Sequence, residues 1–491
     1  MGALVQKTGR MTARLALVAA LAAGGAALAQ DDGNVVTKQY DNGGIYEGTF
    51  KNGKQDGTGT YRLPNGYEYS GQWVDGRIEG KGIARLVNGS VYEGEFTDGK
   101  PDGTGKITFA DGGTYEGEWQ DGKITGTGVA VYANGVRYEG EFRNAVHHGI
   151  GRMTSPNGYV YEGSWVNGVK DGKGKIVYPG GRVYEGEMKQ NQRSGKGTLT
   201  TPEGLSYSGS WKDGEMNGLG TLTQPNGDIY EGQFVNGERH GSGKVTFANG
   251  DVYEGEYRND KRHGKGTLIG ADGYRYEGDW VAGRIEGEGR LTYPDGAVYE
   301  GQFRADMPDG SGKVTYADGS TYEGEWTGGV IGGAGKATFP DGLVYEGQFK
   351  DAAYNGKGTM THAGGYSYTG DWKGGLRHGE GTATYADGSV YSGGFVEGQR
   401  EGQGTITMPD GFSYTGGWKA GKFDGKGRAT YANGDVYEGM FSDGRYEGKG
   451  VMKYADGEIR SGTWTNGMLT TPPEEDTADR PAAPNAPLPA D

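Results

Sequence analysis

Cysteine is absent from this 491-residue chain. Disulfides, a lipidated cysteine and a cysteine nucleophile are therefore excluded, and stability has to come from packing. Positive charge is in deficit: 50 Lys and Arg stand against 65 Asp and Glu, a net charge of −15. A field of that sign disfavours nucleic acid and anionic membrane surfaces. Hydrophobic residues make up only 33% of the chain, and its uncharged run over 15–28 is short for a membrane span.

What abounds is glycine, 103 residues, a composition that by itself drifts toward disorder. The order lies in the spacing. Tyr recurs every 23 residues from Tyr46 to Tyr437, with Arg460 in the nineteenth place and no insertion between. Counting that Tyr as position one, position three is Gly in all nineteen copies. Position five is large (Phe50, Trp73, Phe96 and onward) and holds all nine tryptophans. Positions twelve, fourteen and twenty-one are Gly in all eighteen full copies. A fixed period of this length marks a repeat array. In Tyr92-Glu93-Gly94-Glu95-Phe96, strand alternation places Tyr, Gly and Phe on one face and both Glu on the other. Gly105 to Phe109 alternates likewise, and Asp98-Gly99 between the two runs signals a hairpin turn. Each repeat is thus predicted to be one β-hairpin of an all-β array, with an aromatic-and-glycine face and a charged face. The glycines leave room for a neighbouring ring to lie across the backbone. On the charged face, Glu of one strand can pair with Lys or Thr of the next.

This pattern resembles the MORN repeat family. The resemblance rests on Tyr-Glu-Gly-Glu-Phe, an Asn-Gly-Lys turn, Gly-x-Gly and Asn/Asp-Gly at 23-residue spacing; Tyr230 to Gly243 is a good specimen, and 46 to about 467 is covered. It implies an elongated, solenoid-like ribbon of consecutive antiparallel hairpins and a non-enzymatic scaffold or interaction role. Phospholipid binding is proposed for some members and self-association for others. Departures from the pattern are local: Met188, Tyr257 and Arg460 at key positions, and Ala145, Asn191, Asp260, Asp306 and Ala352 at the turn glycine.

Residues 1–29 read as a cleaved secretory signal. Lys7, Arg10 and Arg14 precede the apolar run, and Ala27-Leu28-Ala29 precedes Gln30 as a small-residue cleavage site. Met11 is an alternative start, and loss of the three cationic residues would leave a net charge near −18. The expected organisation continues with a polar lead over 30–45 and two blocks of nine repeats, 46–252 and 253–467, the second including a terminal part-repeat. A Pro/Ala-rich acidic tail, 468–491, is expected to be disordered. The block duplication shows in Pro101–Trp119 and Pro308–Trp326, which lie 207 residues apart and share 15 of 19 residues. At about 4.8 Å per strand the array would extend over roughly 180 Å. The prolines suit this plan: eight stand at position nineteen, among them Pro64 and Pro156, and Pro101 and Pro308 stand at position ten, both expected to be turn positions.

No residue is singled out as catalytic, cofactor-binding or metal-ligating, and no cofactor is implied. His148, His240, His263 and His378 share position eleven and read as turn residues, spaced about 10 Å apart along an edge, too far to share a metal. The Glu at position two forms a uniform row rather than the unequal pair a glycosidase needs. Gly-x-Gly lies between strands and never opens a helix, so phosphate cradling is unsupported. A basic stripe, Arg258, Lys261, Arg262 and His263, is the weak exception to the acidic balance. The expected function is a non-enzymatic scaffold or protein-interaction rod in the periplasm or envelope of a Gram-negative bacterium, with a protein partner or self-association and no nucleic acid. The alternative is a phospholipid- or glycan-binding module, for a membrane or an envelope polysaccharide, that uses the aromatic face. That face is expected to curl into a groove or be covered by another copy or a ligand.

Overall fold

The computed structural model describes residues 34–470, so the leader read over 1–29 and nearly all of the acidic tail lie outside the described residues. Contacts divide the chain into two units, Met1–Ala248 and Asn249–Asp491. Every regular element among the described residues is a β-strand, and within each unit consecutive strands pair antiparallel.

The repeat beginning at Tyr92 shows how the sequence builds one hairpin. Its strands are Val91–Thr97 and Lys100–Thr108. Asp98 and Gly99 join them with φ of 48° and 76°, the type I′ geometry whose twist matches that of paired strands. The link to the next repeat is a type I turn closed by a glycine. Gly112 N–H donates to Phe109 O at 2.9 Å, and Asp111 Oδ1 accepts from Gly113 N–H at 2.9 Å. At the turn glycine, Ala145 and Ala352 keep the left-handed conformation, with φ of 61° and 62°. Each bears a cost of about 1–2 kcal/mol that glycine would avoid.

The hairpin is not regular throughout. Gly94 faces Gly105, whereas Phe96 faces Pro101, so Asp102, Gly103 and Thr104 together oppose Glu95. This bulge explains the invariant glycine at position twelve. Gly103 takes φ +97°, and a Cβ there would lie 2.0 Å from Glu95 Oε2. That carboxylate in turn accepts the Thr104 N–H at 3.1 Å, capping an amide that the bulge displaces. Gln72, Glu118, Glu141, Asp279 and Gln302 cap the equivalent amide in their own repeats.

Tyr92 lies across the paired glycines and is fully buried. Its hydroxyl donates to Glu95 O at 3.0 Å. The ring meets Phe96 and, from the next repeat, Trp119 edge-on, each at 5.0 Å between centroids. Trp119 ties back by donating Nε1–H to Gly105 O at 3.2 Å. The second unit repeats the arrangement with Tyr414, Trp418 and Phe441. The core is thus a chain of edge-to-face rings, a geometry that each ring's quadrupole favours.

Strand pairing continues at both ends of the array. Within the polar lead, Val36–Gln39 adds a strand onto Ile45–Lys51, and Gln55 Nε2 donates to the Tyr40 hydroxyl at 2.6 Å. At the other end Met468–Leu469 pairs with Ile459–Thr465, carrying the sheet past residue 467. Position ten departs from its reading as a turn. Pro101 and Pro308 are buried within strands, opposite Phe96 and Phe303. The N–H at this position points toward position eight of the next repeat, as Lys170 N–H to Asn191 Oδ1 at 2.9 Å and Ile285 N–H to Asp306 Oδ1 at 2.7 Å show. After the two prolines that position holds Gly122 and Gly329, which offer no side-chain acceptor, so the missing donor does no harm.

Candidate functional site

The aromatic face is closed upon itself. Tyrosines at position one are at most 2% exposed, and Trp280 is 1% exposed. Met188 and Tyr257 fill position five without breaking the row. The rings that were expected to line a groove are consumed in packing.

A layer that the sequence reading missed lies on top of them. Position ten stacks flat against the Tyr of its own repeat: His147 on Tyr138 at 3.7 Å, Tyr354 on Tyr345 at 3.9 Å, Phe423 on Tyr414 at 3.9 Å. In other repeats it is a cation over a ring, with Arg193 4.2 Å from Trp211 and Arg262 4.1 Å from Trp280. Arg262 is therefore engaged in packing and not free to extend the basic stripe. The signal was the recurrence of large or cationic residues in one register. Burial pushes the His147 imidazole down to about 4, which suits a neutral ring beside the Tyr132 hydroxyl at 2.7 Å.

Lys170 is the most instructive member. It is buried, hydrogen-bonded to the Tyr159 hydroxyl, and lies 4.6 Å and 5.0 Å from the Tyr159 and Tyr161 rings. Burial pulls its amine down to about 8. Below pH 8 the amine is charged in both folded and unfolded chains, and the fold bears the full desolvation cost. Between that value and the ordinary pKa near 10.4 the unfolded chain binds the extra proton, so stability rises with pH. Lys170→Met should therefore stabilise the chain at neutral pH by about 1–3 kcal/mol, with the gain fading as the pH nears 10. Thermal melts at two pH values check this, and Met216, which holds the same position, shows that the side chain fits.

The charged face is an open ladder. Lys106 pairs with Glu116 at 3.6 Å, Lys175 with Glu185 at 3.6 Å, and Arg290 with Glu300 at 2.9 Å, each pair in register on adjacent strands. Where position two is Ser or Thr, hydroxyls pair instead in several repeats, as in Thr60 with Ser70 at 2.9 Å. Shallow grooves run beside the ladder. One of about 1040 Å³ lies among Glu254, Glu277 and Arg290, and one of about 1120 Å³ among Glu300, Lys313 and Lys336, both over glycine backbone.

The position-eleven histidines lie within strands rather than in turns. Side chains at this position hold the next repeat's turn: Asp102 Oδ2 accepts from Asp121 N–H at 2.9 Å, and His148 Nδ1 faces Asn167 N–H at 3.5 Å. Among the described residues no cluster of three or more His, Asp or Glu is arranged to hold a metal ion. No helix among them is long and apolar enough to cross a membrane.

No curated protein matches the chain significantly. Among solved structures, the TCP domain of Drosophila melanogaster SAS-4, in complex with a proline-rich motif of Ana2, is 17% identical. It covers 32% of this chain and 85% of its own, at a TM-score of 0.21. The TCP10 domain of Danio rerio CPAP with a STIL peptide is 16% identical, covering 54% and 93%, at 0.14. A catalytically inactive virginiamycin B lyase of Staphylococcus aureus with quinupristin is 12% identical, covering 66% and 94%, at 0.10. Scores this low assign the chain neither a fold nor a role. The family comparison is decisive: the MORN repeat matches eighteen times in succession, from 46–66 and 69–91 to 414–436 and 437–459. The chain belongs to the MORN repeat family.

Proposed function

We propose that this chain is a non-enzymatic scaffold of a Gram-negative cell envelope, exported by its N-terminal leader and holding a protein partner on its charged ladder. The observation that carries this reading is the ladder. Lys313 with Glu323 at 3.8 Å and Lys336 with Glu346 at 3.7 Å are largely exposed rungs that recur without the asymmetry of a catalytic pair. Exposed ion pairs contribute roughly 0–1 kcal/mol each. A recurring alternation of charge on one face is therefore better suited to complementary pairing with a partner than to supporting the fold. The buried aromatic face offers no such surface and gives a lipid little to insert.

The test is expression of the full chain in a Gram-negative host, with a photocrosslinking residue at position 313 or 336. The chain should fractionate with the periplasm or envelope, begin at Gln30, and give a discrete protein adduct that weakens at high salt. Cytoplasmic retention with an intact leader would remove the envelope role. Adducts to lipid alone, or turnover of an envelope substrate by the purified chain, would remove the protein scaffold.

A further inference from the structure

On the ladder face of the second unit the alternation of charge stops. Glu300, Lys313, Glu323, Lys336 and Glu346 occupy one line, one residue per successive strand. The next six strands place Thr359, Thr369, Thr382, Ser392, Thr405 and Thr415 on that same line, each in register with the next. Arg428 and Glu438 then restore the charge. At about 4.8 Å per strand the hydroxyl rank spans roughly 24 Å.

The rank is open and chemically unsaturated. Thr369, Thr382, Ser392 and Thr415 are exposed, and Thr359 and Thr405 are half-buried. The hydroxyls pair off at 3.1, 2.8 and 3.0 Å. Each pair commits one O–H to its partner and retains one O–H and spare lone pairs for a ligand.

A second feature of the same stretch leaves the bulge glycines Gly402 and Gly425 uncovered, with nothing within 4 Å of a Cβ at either. Position four carries a side chain in every repeat except two consecutive ones, where it is Gly394 and Gly417. In many other repeats that side chain reaches across the face to its capped amide, as Gln302 Oε1 does to Ser311 N–H at 3.1 Å. A groove of about 560 Å³ runs along the rank, lined by Thr359, Thr369, Thr382 and Ser392 over glycine backbone, with Lys357 and Glu380 at its side.

We propose that this rank is a binding track for a neutral β-1,4-linked glycan, lying across the strands with its sugar hydroxyls on the Thr and Ser hydroxyls. An anionic or cationic partner would find its complement in the neighbouring rungs, not in the one neutral stretch of six. An extended peptide would need a free strand edge, and these strands are paired on both sides. A β-1,4-linked chain advances by roughly one ring per strand spacing of about 4.8 Å, so successive rings meet successive hydroxyls. This site goes beyond the protein partner proposed for the charged rungs and does not depend on it.

Titration of the full chain with cellohexaose and with chitohexaose tests the proposal. Saturable binding of at least one is expected. It should weaken at least tenfold when all three rungs become Lys–Glu pairs (T359K, T369E, T382K, S392E, T405K and T415E). It should also weaken when only the middle rung is changed, by T382K with S392E. Lys313–Glu323 and Lys336–Glu346 are the same rungs in the same fold, and an unchanged melting temperature of the middle-rung variant would confirm folding. Failure of both oligosaccharides to bind, or equal binding by the folded variants, would overturn the track. Neither result bears on the protein adduct at 313 or 336.

Discussion

Between about pH 10 and 12 the chain should unfold abruptly. The tyrosines at position one are sealed beneath the sheet, with Tyr46, Tyr92 and Tyr276 fully buried. Burial pushes their hydroxyls upward, to about 12 at Tyr46, Tyr207 and Tyr368, and further at Tyr92 and Tyr276. The sign follows from which state holds the proton. Below pH 10 both folded and unfolded chains are protonated and nothing is lost. Above it the unfolded chain ionises while the folded chain cannot, so each tyrosine removes about 1.4 kcal/mol per pH unit. Ten such residues remove on the order of 14 kcal/mol per unit, comparable to the whole stability of a domain. The deprotonation of Lys170 acts in the opposite direction but is a single site. Tyrosinate absorbance and far-UV circular dichroism followed together should change in one steep, coincident step. Gradual titration near pH 10 with an unchanged β-sheet signal would show that the rings are open to water.

The hairpins were legible in the sequence because their rules are local. The two-residue period of Tyr92 to Phe96 and the Asp98-Gly99 turn need no knowledge of other strands. The bulge is different. Gly103-Thr104-Gly105 has the composition of a loop, and positions ten and eleven before it read as turn residues. In the fold the strand resumes at Lys100, and Asp102 to Thr104 are accommodated opposite Glu95. That count depends on cross-strand register, which local composition does not encode. The open aromatic groove was expected for the same reason. Whether Tyr92 stays exposed depends on Phe96, Trp119 and Ile107 closing around it from three strands. The hydroxyl rank was hidden too. Thr359 and Thr369 are ten residues apart, and only the antiparallel register makes them neighbours.

Gly94→Ala should be far more damaging than Gly99→Ala, although both add one methyl group to the same hairpin. At Gly94 a Cβ would lie 2.5 Å from the Gly105 Cα, 2.5 Å from the Tyr92 hydroxyl oxygen and 2.7 Å from Thr104 O. Two of those atoms are backbone and cannot swing aside without opening the Gly94–Gly105 pairing. The third belongs to a fully buried ring held between Phe96 and Trp119. Overpacking of this kind costs typically 1–3 kcal/mol where side chains can yield, and with backbone on two sides at least about 3 kcal/mol is expected. At Gly99 nothing lies within 4 Å, and only the left-handed φ of 76° resists a side chain. That costs about 1–2 kcal/mol, and Ala145 shows that the fold tolerates alanine at this position. Because each repeat contacts chiefly its neighbours, the damage should be local. Hydrogen exchange should accelerate over 80–120 in Gly94→Ala while the repeats beyond Tyr161 keep their protection. Comparable exchange in the two variants would mean that the Tyr92 ring does not lie across the glycine pair. Uniform loss along the first unit in Gly94→Ala would mean that the hairpins fold as one block rather than as a chain of neighbours.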